Sequence, residues 1–306
     1  MKSKNGMKMI SGGRLAICAL LLLVISTGIV HAERQQPITV NLTAPKAVAL
    51  DAGGNLYVVE SATNRLHMFS AAGEYIRSYS KLDKPVSVAL DGSGRIYVGN
   101  AGRGDVEVYD GTFSLLFKLG AGNGEFVLPA AIATDSSGRA YVADSKNDKI
   151  QVYNADGSFR FSFGASGSQS GRFHFPTSLA IDNAAQELYV TDLPQMQTRD
   201  GLAESARIQV FTLRGVFKRS FGTYGQGDGM LTRPTGVAVD GTGRVYITDS
   251  YQNVVEVFDN AGQFLTTLYD LANPMRNPLG IAVSSGGRVF IASINTGKVE
   301  VYGVPQ

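Results

Sequence analysis

The chain has 306 residues, with 28 basic and 26 acidic side chains and one cysteine. So even a charge balance leaves no basic stripe of the kind that drives phosphate binding, which argues against nucleic acid as a partner. Cys18 falls in an N-terminal segment that reads as a leader, so the remainder has no disulfide or thiolate chemistry, yet it is long enough to bury a large core without either.

That leader comes first in the chain. Lys2, Lys4, Lys8 and Arg14 precede an apolar run from Leu15 to Val30, and Val30-His31-Ala32 offers a small-x-small cleavage pattern. A charged start, an apolar middle and a small-residue end make a secretory signal, here 1–32 with cleavage after Ala32. The apolar run is short against the roughly 20 residues that span a bilayer. The expected location is therefore secreted or periplasmic with no membrane span after cleavage, and an N-terminal membrane anchor is the alternative. Removing four basic residues leaves 24 basic against 26 acidic, a net charge of −2.

From there to the C-terminus the chain is a repeat array. A proline opens each copy, at Pro45, Pro85, Pro129, Pro176, Pro234 and Pro278, with gaps of 40, 44, 47, 58 and 44 residues. Proline fixes φ and lacks an N–H, so it can begin a strand but not run through its middle. The first strand follows (KAVALD, VSVALD, AAIATD, TSLAID, TGVAVD, LGIAVS) and is apolar on both faces. Asp51, Asp91, Asp135, Asp182 and Asp240 close five of these runs, and four of the five are followed by a glycine that suits a hairpin. The second strand is rich in Tyr and Val, the third ends on an aromatic, and the fourth alternates as in Phe159-Arg160-Phe161-Ser162-Phe163.

Four strands per copy and periods of 40 to 58 residues predict an all-β chain folded as a six-bladed β-propeller. Its blades are expected near 44–79, 84–120, 128–164, 175–222, 233–269 and 277–306, in one domain over 33–306. The last copy lacks a fourth strand, and the orphan run Ile38 to Leu42 is expected to supply it and close the ring.

The copies at Pro234 to Phe264 and Pro129 to Phe163 resemble the NHL-repeat family of six-bladed propellers, with Gly-Arg-Val-Tyr-Ile-x-Asp-Ser in the first and Asp144-Ser145-Lys146-Asn147-Asp148-Lys149 in the second. The resemblance covers essentially all of 33–306. It implies fold more firmly than function, because propellers host enzymes and binding modules alike. Blade four departs from the pattern in its turn (Asn183-Ala184-Ala185-Gln186) and in an insertion after Asp192.

Chain direction puts the long connections 120–128, 164–175, 222–233 and 269–277 and the insertion 193–206 on one face. The main expectation is a non-catalytic extracytoplasmic scaffold that binds a protein partner or extracytoplasmic complex through this face, with no cofactor. Its contacts would be Arg172, His174, Gln195, Met196, Arg199, Asp200, Tyr224, Met230 and Tyr251. The alternative is a metal-dependent hydrolase or lactonase that resembles the gluconolactonase-like propellers. A ring of second-strand ends would then hold Ca²⁺, Zn²⁺ or another divalent cation: Glu60, Asn100, Asp144, Asp192 and Asp249, with Ser293 completing the six-fold set. Against the ring stands a structural role, tying down a loop or pairing with Arg65, Lys149 or Arg207. Outside the leader only His67 and His174 remain, too few for the histidine cluster of zinc-dependent peptide-amidating lyases, and no G-x-S-x-G elbow is present.

Overall fold

The computed structural model describes residues 33–39, 42–120, 126–193 and 206–303, so the leader lies outside the described residues. Among those described, no helix is long and apolar enough to cross a membrane. Six four-stranded antiparallel sheets follow one another in a ring, a six-bladed β-propeller. Blade three shows the plan: Pro129–Thr134 lines the axis, Ala140–Asp144 and Lys149–Tyr153 follow, and Phe159–Phe163 forms the outer edge. Local chemistry dictates each hairpin. Asp135 Oδ1 accepts the N–H groups of Ser137 and Arg139 at 2.9 and 3.0 Å, while Gly138 takes φ of 78°.

The core is divided among six apolar clusters, one at each seam between neighbouring blades. Between blades three and four, for example, Tyr141 and Ile150 pack with Leu179, Leu188 and Phe211, all under 9% exposed. A polar staple accompanies five of the seams. A hydroxyl of one blade donates to the carbonyl of the proline that opens the next: Ser61 to Pro85, Ser87 to Pro129, Ser145 to Pro176, Thr177 to Pro234 and Thr235 to Pro278. The sixth seam closes through backbone, with Gly280 N donating to Lys46 O at 3.0 Å. A Cβ on Gly280 would lie 2.7 Å from Ala47 Cα, so this seam is as close as it is because the residue is glycine.

The N-terminal segment does complete the last blade, but from another position than expected. Glu33–Arg34 pairs with Lys298–Gly303, placing Glu33 opposite Gly303 and Arg34 opposite Tyr302. Ile38 makes only an isolated bridge to Val299, and residues 40 and 41 lie outside the described set. Of the predicted 38–42 strand Ile38 does pair with the last blade, and the regular pairing begins five residues upstream of it. The physical reason is that an outer strand faces solvent and needs no apolar alternation. Side-chain contacts secure it instead, with Arg34 Nη2 against the buried Glu300 carboxylate and Ile38 packed among Val48, Phe290 and Val299.

Candidate functional site: the axial cavity

Every first strand but that of blade one contains a β-bulge at its proline. In blade three Pro129 pairs with Asp144 and Ala131 with Ala143, leaving Ala130 as the extra residue. A bulge re-aims the residue it inserts. The residues after the six prolines, Lys46, Val86, Ala130, Thr177, Thr235 and Leu279, all line a cavity of about 320 Å³ on the propeller axis. Two residues further on comes an aliphatic ring, Val48, Val88, Ile132, Leu179, Val237 and Ile281, each 3 to 7% exposed. These side chains floor the cavity. A separate hollow lined by Leu50, Asp51, Asp91 and Ser284 lies at the hairpin end of the channel.

The wall chemistry is lopsided. Among the described lining residues Lys46 is the one charged group, and no carboxylate or imidazole joins it. Burial lowers the pKa of its ammonium below the ordinary lysine value. The hydroxyls of Ser87, Thr177 and Thr235 are donors already directed at proline carbonyls, and Ser178 Oγ accepts from Val237 N at 3.1 Å.

The acidic ring does not face this cavity, because it sits on second strands, one strand out from the axis. Each member holds the lead-in to its own blade. Glu60 Oε1 accepts from Thr43 N and Ala44 N, Asp144 Oδ1 from Val127 N and Leu128 N, Asp192 Oδ1 from His174 N and Phe175 N, and Asp249 Oδ2 from Thr232 N and Arg233 N. Asn100 does the same for Asp83 N and Ser293 for Arg276 N. These N–H groups belong to the two residues before each proline, so the clamp sets how the chain enters the channel wall.

Behind the clamp stands a third-strand side chain. His67 Nε2 lies 3.2 Å from Glu60 Oε2, and Gln151 and Gln209 donate to Asp144 and Asp192 at 3.3 and 3.4 Å. Burial alone would raise Glu60, but the bonds from His67, Thr43, Ala44 and Thr63 outweigh it and bring its pKa to about 2. Asp192 is instead raised by burial, despite its backbone donors and Arg207. Of the basic partners expected, Arg207 does meet Asp192, at 3.1 Å, whereas Arg65 turns to Ser78.

Five of the predicted face residues are described. Arg172 and His174 lie in the lead-in to blade four, Tyr224 and Met230 in that to blade five, and Tyr251 just after the second strand of blade five. Tyr224, Met230 and Tyr251 are 45%, 41% and 60% exposed, and Gln252 fastens their loop by donating to Met230 O and accepting from Gly227 N. Gln195, Met196, Arg199 and Asp200 lie outside the described residues. Sequence reasoning missed the axial residues. Their signal was the position after each proline, the one place in the first strand where Lys, Thr and aliphatic residues interchange.

A six-bladed propeller with a small axial cavity open at its strand-one end is the class that fold and site define. Residues 45–274 match the SMP-30/Gluconolactonase/LRE-like region, and the chain belongs to that family. Among solved structures it is similar to a gluconolactonase from Xanthomonas campestris, at 19% identity and a TM-score of 0.68 over 91% of both chains. It is also similar to virginiamycin B lyase from Staphylococcus aureus, at 13% identity and a TM-score of 0.62 over 90% of both chains. At these identities the likeness concerns the fold. Locally, 47 residues are 47% identical to Protein lin-41 of Caenorhabditis elegans, covering 15% of this chain and 4% of that protein. A stretch of 59 residues is 34% identical to the B-box type zinc finger protein ncl-1 of the same organism, 19% of this chain and 7% of that protein. The chain thus spans a small fraction of these relatives, and the NHL-repeat resemblance rests on those short stretches.

Proposed function

We propose that the protein is a lactonase-type hydrolase whose working site is the axial cavity, with small lactones or related cyclic esters as substrates. Membership of the SMP-30/gluconolactonase family over residues 45–274 carries this reading and favours it over the non-catalytic scaffold. The cavity volume, roughly 320 Å³, suits a small molecule, at the lower end of common ligand pockets. The aliphatic ring would take the ring carbons and exclude water from below. Lys46 would donate to the carbonyl oxygen as charge develops there. In the net reaction, water oxygen bonds to the carbonyl carbon, the ring C–O bond breaks, and the leaving oxygen takes a proton. The product is a hydroxy acid that ionises at neutral pH.

The gluconolactonase resemblance implies a divalent cation. The described lining does not fit one, being aliphatic, hydroxyl-bearing or cationic, and no group of three or more His, Cys, Asp or Glu among the described residues is placed to hold a metal. A pH-indicator assay of residues 33–306 against γ- and δ-lactones tests the reading. Saturable ring-opening, lost in Ala130→Phe with the far-UV spectrum unchanged, is the expected result. No turnover of any lactone would sink it.

Docking of a protein partner on the loop-rich face is a separate proposal, resting on the exposure of Tyr224, Met230 and Tyr251. A partner captured equally well by a Tyr251→Ser, Met230→Ser double variant would refute it.

A further inference from the structure

Five half-buried arginines of the ring are paired with carboxylates. Arg95 meets Asp91, Arg139 meets Asp135, Arg207 meets Asp192, Arg219 meets Glu187 and Arg34 meets Glu300, all at 3.1 Å or less. The Lys46 ammonium has no hydrogen-bond or ion-pair partner among the described residues, although it stands in a cavity floored by six aliphatic side chains. A cation placed in an apolar recess without a counter-charge is unfavourable unless something else supplies the charge. Nothing in the described wall can do so.

The neighbouring groups narrow what could. Ser87 and Thr235 reach proline carbonyls at 2.8 and 2.9 Å, and the Thr177 hydroxyl stands between Pro234 O and Thr191 Oγ1, so all three hydroxyls are already engaged within the wall. Ser178 is placed to donate, since its oxygen accepts from Val237 N and its own hydrogen meets no acceptor among the described residues. The cavity wall thus offers two donors, Lys46 and Ser178, beside the aliphatic ring. That is an arrangement for a molecule with one anionic oxygen-bearing end and a hydrocarbon body.

We infer that Lys46 is the head-group anchor of the axial cavity and that the cavity binds a small monocarboxylate, its carboxylate on Lys46 and its carbon chain on the aliphatic ring. The inference rests on the proposed working site and deepens it, because ring-opening of a lactone would leave a carboxylate at this place. The product would then be held by the same amine that met the carbonyl oxygen, and release of the acid would be a distinct step of turnover. The desolvation that lowers the Lys46 pKa is relieved when an anion arrives, so binding strengthens the charged form of the amine.

Isothermal titration of the protein with hexanoate and with hexanol, at neutral pH, tests this directly. Hexanoate should bind, hexanol at least about tenfold more weakly, a ratio set by a charge-assisted hydrogen bond. Lys46→Met should abolish that preference while leaving the melting temperature equal or higher, since it removes an uncompensated charge. Equal affinity for hexanoate in wild type and Lys46→Met, or equal affinity for acid and alcohol in wild type, would overturn the assignment. Lactone turnover without carboxylate affinity would overturn the Lys46 inference alone. Carboxylate binding that survives in Ala130→Phe, the cavity-filling variant, would count against the axial site itself.

Discussion

Glu256 lies opposite Ile247, one diagonal step from Asp249, so blade five buries two carboxylates where blades three and four pair an aspartate with Gln151 or Gln209. Burial first, then repulsion from Asp228 and Asp249, raises the Glu256 pKa to about 7, against bonds from Thr267 and Gly229 N. Its folded pKa is above the unfolded one, so its contribution is fully present below the ordinary value of 4.5 and is lost as pH rises through about 7.

The protein should therefore be less stable at pH 9 than at pH 6 through this group, by about 1.4 kcal/mol. Glu256→Gln should remove most of that slope and melt higher than wild type at pH 9. Urea titrations at both pH values check it. Equal slopes for the two proteins would show that Glu256 carries no such proton.

The clamp at Asp144 should dominate the stability of blade three. Asp144→Ala leaves the N–H groups of Val127 and Leu128 without their acceptor and frees Asn147 and Gln151. A loss of about 2–4 kcal/mol is expected, because buried backbone donors are left unpaired. Asp144→Asn, which keeps a carbonyl oxygen, should lose clearly less. A loss under about 0.5 kcal/mol, the scale of ordinary surface changes, would show that water replaces the carboxylate.

Ring closure should depend on Arg34 more than on the length of its strand. Arg34→Ala strands Glu300, which is 1% exposed and among the described residues is otherwise bonded only to Thr296 Oγ1 at 3.3 Å. An unpaired buried charge of this kind costs about 3–5 kcal/mol. Faster amide exchange confined first to Lys298–Gly303 is the expected signature, and unchanged protection there would argue against a side-chain clasp.

Gly280 should tolerate no side chain. An alanine Cβ would stand 2.7 Å from Ala47 Cα and 2.9 Å from Lys46 O, both main-chain atoms that cannot swing aside. Gly280→Ala should lose about 1–3 kcal/mol by forcing blades one and six apart. Denaturant melts read this, and a neutral result would mean that the seam can open without loss.

Most of the propeller was legible because its signals are local. Proline, a run of apolar residues, then an aspartate and glycine place the first strand and hairpin of four blades within some ten residues, and those turns form as the side chains dictate. The closing strand was legible in role but not in position. The alternation of Ile38 and Leu42 suggested a strand, while the pairing residues Glu33 and Arg34 carry no apolar pattern because their strand lies at the solvent edge.

The site belongs to tertiary structure. The aspartates at second-strand ends look in sequence like a ring of ligands, and only the folded chain shows that their oxygens face backbone amides 16 to 18 residues upstream. Lys46, Thr177 and Thr235 are scattered over three repeats, and nothing in their neighbours announces a common cavity. By itself the sequence determined the repeat, the strands and the turns, since backbone preference and apolar period act over a few residues. What faces the axis was decided by ring closure, which brings distant strands side by side and, in five of the six blades, by the bulge at the opening proline, which turns the following residue into the mouth.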